Sequence, residues 1–266
     1  MLQNFSRGGG AISVLASSVG ANVKLIDIGV NADTSGIANV LNRKIAFGTR
    51  DMFLEPAMTR EEAIRSLEIG IEMAERFSDE TDVFATGEMG IGNTTPSSAI
   101  VTVLSHDIDP RAYVGRGAGL EPERLRHKAE VIQHAIERNA PDPEDPIDIL
   151  SKVGGFEIGG IAGAILGAAK LRKPVVIDGF ISTAGALIAH ALVPESAEYM
   201  ILAHSSVERG HVRMAEILGK KALLNLDLRL GEGTGAALAM PLLDTASAIM
   251  REMSTFSSAG VTEEGL

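Results

Sequence analysis

Two glutamates set in glycine frames are the residues most able to do chemistry in this chain. Glu88 lies in Gly87-Glu88-Met89-Gly90-Ile91-Gly92-Asn93-Thr94-Thr95-Pro96. Val83-Phe84-Ala85 before it reads as a short buried strand, and Ser97 to Val101 after it as the start of a helix. A glycine-rich turn between strand and helix lets backbone N–H groups approach an anion, and the helix N-terminus adds unpaired N–H groups and a favourable dipole. Thr94 and Thr95 can cap that helix or donate to phosphate oxygens. A carboxylate in such a loop repels phosphate, so Glu88 is expected to face a ribose hydroxyl or a cationic ring. The same residues also read as a tight turn with a capped helix. Glu232, between Gly231 and Gly233 and just ahead of a helix, can be held close to a substrate or can simply complement the helix dipole.

Further polar residues stand where predicted strands end. Val23 to Val30 reads as a strand with Asp27 and Asn31 near its end, and Lys173 to Phe180 as a strand with Asp178. Tyr199 to Ala203 is a third, followed by His204 and Ser206. Ligands of open α/β sheets are read at the carboxyl ends of strands, so Glu88, Asp178 and the His204/Ser206 pair fit one edge. Asp27 is either such a group or a cap for its own loop. Arg116, among the glycines of Val114-Gly115-Arg116-Gly117-Ala118-Gly119, can meet a carboxylate or phosphate bidentately or be an exposed linker residue. Neither GxGxxG nor GxxxxGK[ST] is present, so no standard nucleotide motif is indicated.

Positioning these groups requires strands alternating with helices, which implies a parallel, helix-covered sheet. Helices are expected over Ala11 to Val19, from Thr59, over Pro122 to Asn139, from Ser182, and from Ala237 to about Met253. Thr59 followed by Glu62 is a capping box. Arg43 to Arg50 reads as a polar connector, and the three prolines of Ala140 to Pro146 as a stiff exposed loop. The small residues of Gly154 to Ala169 suggest a helix packed very closely on a neighbour. They also resemble a membrane-helix pattern, which Glu157 and the short uncharged run argue against.

The composition narrows the classes. The 266 residues make one large domain with a sizeable core, at 45% hydrophobic and 22% charged. A formal charge of -11 argues against a nucleic-acid surface, and the absence of Trp with only 4% aromatics argues against base-stacking platforms. With no Cys there are no disulfides, thiolate metal sites or Cys nucleophiles. The sequence carries no long apolar run and no signal-peptide pattern, so neither a membrane partner nor secretion is expected, and a cytoplasmic location is.

Six stretches together resemble one family, nicotinate-nucleotide–dimethylbenzimidazole phosphoribosyltransferase. They are Gly8 to Ile12, Gly87 to Thr95, Val114 to Gly117, Gly154 to Ile158, Ile177 to Ser182 and Leu228 to Gly233, in the family's order through nearly the whole chain. The resemblance implies an α/β Rossmann-like fold in a single domain over 1–266, with a small helical subdomain built from about 1–20 and 237–266. It implies transfer of the phosphoribosyl group of nicotinate mononucleotide to 5,6-dimethylbenzimidazole in cobalamin assembly. It places the general base on Glu232 and supporting charge on Glu88 and Lys128. It assigns phosphate, ribose and other substrate contacts to Gly90, Gly92, Asn93, Thr94, Thr95, Arg116, Asp178, Ser206, Arg229, Leu230 and Gly231. No metal and no cofactor are implied, and a homodimer is. Family members carry additional chain ahead of the point matching Met1, including helices of the small domain and part of the benzimidazole pocket. Phosphoribosyl transfer to another azole or purine, and a non-catalytic nucleotide-binding protein, are the competing readings.

Overall fold

The computed structural model describes residues 1–106, 109–115 and 121–260. Arg116 lies outside them. The chain opens with two helices, α1 (Leu2–Ser6) and α2 (Ala11–Ser18). Strand β1 is shorter than its apolar run, Leu25–Asp27, and pairs in parallel with β2 (Val40–Asn42), Leu25 opposite Val40. The segment just before the expected polar connector therefore contains a strand. Three residues give no alternation to read, and Val40-Leu41-Asn42 is recruited by its partner rather than by pattern.

Helix α3 (Arg60–Arg76) begins as expected: Thr59 Oγ1 accepts from Glu62 N at 3.1 Å, and Glu62 Oε2 accepts from Thr59 N at 2.7 Å. Strand β3 (Phe84–Ala85) leads into α4 (Thr94–Leu104), and α5 (Pro122–Asn139) has its expected bounds. The proline loop ends in a helix, α6 (Pro146–Val153), and Pro141 is buried rather than exposed. Pro146 occupies the first helical turn, where its missing N–H costs nothing, and Asp145 caps by accepting from Ile147 N and Asp148 N. Helix α7 (Phe156–Lys170), β4 (Val175–Ile177), α8 (Phe180–Leu192), β5 (Met200–Leu202), α9 (Arg209–Ile217) and α10 (Thr234–Glu252) follow among the described residues. α10 carries Pro241 inside it and packs on α2.

Among the described residues the α/β architecture has two parallel sheets, β1-β2 and β3-β4-β5, not one. In the larger, Phe84 pairs with Val175 and Val175 with Met200. β4 is central and fully buried, consistent with its unbroken Val175-Val176-Ile177. The small residues of α7 press against α3. A Cβ on Gly163 would lie 1.9 Å from the Leu67 carbonyl oxygen, and one on Gly70 would lie 2.1 Å from that of Gly160. The core around this seam takes Ile100, Ile132, Leu150, Ile158, Ile165, Leu187 and Ile188, all buried. No helix among the described residues is long and apolar enough to cross a membrane.

Candidate active site

The glycine loops after β3 and before α10 meet across one cavity of about 740 Å³. Gly87 allows the approach: a Cβ there would sit 2.7 Å from the Glu232 carbonyl oxygen. Gly231, Glu232 and Gly233 all take left-handed φ values, 76°, 66° and 88°. For Glu232 this is an uncommon conformation, held by the structure on both sides. From behind, Asp178 Oδ2 accepts from Gly233 N and Oδ1 from Ala236 N, each at 3.1 Å. From the front, Glu232 Oε2 accepts from Ile12 N at 3.4 Å, so the first turn of α2 orients the carboxylate.

Glu88 is oriented as firmly. Its Oε2 accepts from Gly90 N at 2.5 Å and from Asn93 Nδ2 at 2.8 Å. Oε1 lies beside Gly231, where a Cβ would come within 2.6 Å of it. Burial pushes the Glu88 carboxyl up to about 7, against the opposing pull of those two hydrogen bonds, and the nearby Asp178 and Glu157 carboxylates add to the rise. Glu157, at the start of α7, lines the same cavity, and burial raises its carboxyl too. Glu88, Glu157 and Glu232 thus share one largely apolar chamber. Its one described ammonium, Lys24, is already paired with Glu80 at 2.9 Å. Such a chamber favours a flat ligand that carries, or acquires, positive charge.

A second group forms where α4 begins. Asn93 is the N-cap, Thr94 the first helical residue, and Pro96 sits in the first turn. The backbone N–H groups there have no partner within the helix. Lys128, reaching across from α5, donates to Thr94 Oγ1 at 2.9 Å. Burial holds the Lys128 ammonium below its usual range, and the Glu208 carboxylate partly offsets that. An ammonium beside a helix N-terminus makes this end suited to a phosphate.

Of the residues expected from sequence, Glu88, Glu232, Gly92 and Asn93 come together on the cavity wall. Lys128, Thr94 and Thr95 gather at the start of α4, with Gly90 exposed in the loop before it. Asp178 does not reach the cavity lining. It is 1% exposed, and its oxygens serve the first turn of α10, with His204 Nε2 3.7 Å away. Ser206 is also buried: its N–H donates to His211 Nδ1 at 3.1 Å and its Oγ accepts from Glu208 N at 3.3 Å. Arg229 and Leu230 are exposed on the loop before Gly231, outside the lining. Asp27 is a loop cap: it accepts from Gly29 N, Val30 N and the Thr34 hydroxyl, and pairs with Lys44 at 2.7 Å. Glu157 was not expected as a site residue. The signal available was Gly154-Gly155-Phe156-Glu157, a glutamate in the first turn of a helix two residues after a glycine pair.

Helix-wrapped parallel sheets with a phosphate-suited helix start beside an acidic chamber fit a phosphoribosyltransferase, and the phosphoribosyltransferase family model matches residues 1–261. Nicotinate-nucleotide–dimethylbenzimidazole phosphoribosyltransferase of Syntrophotalea carbinolica is 54% identical over 266 residues, covering 99% of this chain and 75% of its own. That of Geobacter sp. strain M21 is 52% identical over 263 residues, again 75% of its length. The crystal structure of CobT from Thermus thermophilus superposes with a TM-score of 0.93 at 42% identity, covering 99% of this chain and 78% of that one. The chain belongs to the nicotinate-nucleotide–dimethylbenzimidazole phosphoribosyltransferase family.

Proposed function

We propose that this chain transfers the phosphoribosyl group of nicotinate mononucleotide to 5,6-dimethylbenzimidazole, giving α-ribazole 5′-phosphate and nicotinate in cobalamin lower-ligand assembly. The observation that carries the reading is the Glu232 carboxylate, fixed in a left-handed turn by Asp178 and α2 beside Glu88 in a chamber without an unpaired described cation.

The chemistry asks for little beyond placement. The pyridinium nitrogen of the donor already bears positive charge, so when the C1′–N bond breaks its electron pair neutralises the leaving ring. The incoming azole nitrogen forms the new C1′–N bond on the opposite face, which inverts the β-nucleotide to an α-product. The azole ring becomes cationic as it attacks, and its other N–H proton passes to Glu232 as general base. Glu88 faces the ribose and the developing cation. The donor phosphate lies at the start of α4 with Gly90, Gly92, Asn93, Thr94, Thr95 and Lys128; Ser206 is a further phosphate or ribose contact, and the family resemblance assigns the same role to Arg116, which lies outside the described residues. Asp178, Arg229, Leu230 and Gly231 contribute by shaping the Glu232 loop. Holding both rings in line supplies much of the remaining rate.

The protein acts as a cytoplasmic homodimer in this reading, with about 1–20 and 237–266 forming a small helical subdomain; the packing of α2 on α10 supports that grouping. The test is to incubate the chain with both substrates and follow nicotinate and α-ribazole phosphate by chromatography. Glu232→Gln is expected to abolish turnover and leave nucleotide binding largely intact. Surviving turnover overturns the assignment of the base, and light scattering at a monomer's mass overturns the dimer.

A further inference from the structure

The mechanism leaves Glu157 unused and takes Asn93 only as part of the start of α4, although both lie on the cavity wall. Asn93 is 4% exposed, its Nδ2 donates to Glu88 Oε2 at 2.8 Å, and its amide also acts on the Glu157 carboxyl, favouring the ionised form against burial. Its Oδ1 is buried with no hydrogen-bond partner among the described residues. A buried amide oxygen without a donor is costly, by about 1–3 kcal/mol as a general rule, and it marks a place where a proton donor belongs.

An amide between two carboxyl groups distinguishes their protonation states. Its N–H groups serve an ionised carboxylate, whereas its oxygen accepts only from a protonated one. Two carboxylates facing one amide without a cation between them do not both ionise readily. We propose that Glu157 is a positioning residue for Glu88: across the shared Asn93 amide the two carboxyl groups hold one proton, which satisfies Asn93 Oδ1 and locks the Glu88 carboxyl in the orientation the sugar and cationic ring require. The proton belongs to the pair, and its loss is one macroscopic step. Among the described residues, the charges that act on Glu88 are the carboxylates of Asp178, after β4, and Glu157, on α7, and Glu232 lines the same cavity. The state of the pair sets how much negative charge meets the donor's pyridinium. This deepens the transferase reading and rests on it.

The experiment is a carboxyl carbon NMR titration of the glutamates in the wild type and in Glu157→Gln, run beside the pH profile of kcat/KM for nicotinate mononucleotide. The wild type is expected to show a glutamate step near pH 7, in line with the raised Glu88 carboxyl. In Glu157→Gln that step should fall by about one pH unit, as for the loss of one close like charge, with the matching limb of kcat/KM moving in parallel. Glu157→Asp should keep both near their wild-type positions. An unmoved Glu88 step, or a moved step with an unmoved kinetic limb, overturns the proposal. If Glu157→Gln does not fold, Glu88→Gln gives the reciprocal reading: the Glu157 step must fall, and its constancy overturns the pair. Because the titration needs no turnover, an inactive wild type would refute the transferase reading and leave the pairing separately decided.

Discussion

Asp178→Asn separates a group that binds substrate from one that holds the catalytic loop. In the structure Asp178 gives one oxygen to Gly233 N and the other to Ala236 N, both at 3.1 Å, in a buried setting. An asparagine can offer only one acceptor, so in either orientation one N–H faces an amide N–H instead. Leaving one buried donor without its acceptor costs about 1–3 kcal/mol, and 2 kcal/mol corresponds to a melting shift of about 4 °C for a domain of this size. The same loss frees the backbone that keeps Glu232 in its left-handed turn. A displacement of about 1 Å at a reacting group costs on the order of 10²-fold in rate, so kcat should fall by that much with little change in KM. Differential scanning calorimetry and steady-state assays on the same preparation check both numbers. A raised KM with an unchanged melting temperature would mean that Asp178 touches the substrate. A lowered melting temperature with unchanged kcat would mean that the loop is held by something else.

Other changes have equally specific outcomes. Glu88→Gln should be as stable as the wild type near pH 5 and more stable above pH 7. The folded-state carboxyl titrates near 7 against an ordinary 4.5, so wild-type stability is lost as pH rises between those values, by on the order of 3 kcal/mol at most; denaturant titrations at pH 5 and pH 8 read the difference. Gly163→Ala must push α3 and α7 apart, since its Cβ meets the Leu67 carbonyl oxygen, and should cost about 1–3 kcal/mol or more by urea denaturation. Gly160→Ala, whose Cβ meets only the tip of Ile28, should cost clearly less. Thr59→Ala removes half of the capping box at α3 and should cost about 1 kcal/mol in the same assay.

Local chemistry made much of this protein legible. The start of α3 followed from Thr59 and Glu62 because both partners of the capping box lie within one turn. Helix α5 followed from Pro122 at its start and Pro141 beyond its end. The close packing of α7 followed from glycines and alanines that leave no side chain in the way. The two glycine-framed glutamates and the strand, turn and helix start around Glu88 were likewise visible, because backbone approach and positive φ leave a signature in residue type. Elements stabilised by distant partners were not. Strand β2 exists because β1 offers it a ladder, and α9 because its one buried face, with His211 and Met214, meets a core assembled from elsewhere. The same limit governs the site. Sequence placed Asp178 at a strand end, but only the fold turned it inward to Gly233 and Ala236, 55 and 58 residues away. Sequence also showed Glu157 as an ordinary charge at a helix start. Only the tertiary structure put it on one cavity wall with Asn93 and Glu88, because the meeting of buried carboxyl groups depends on distance in space and on excluded water, and neither is written along the chain.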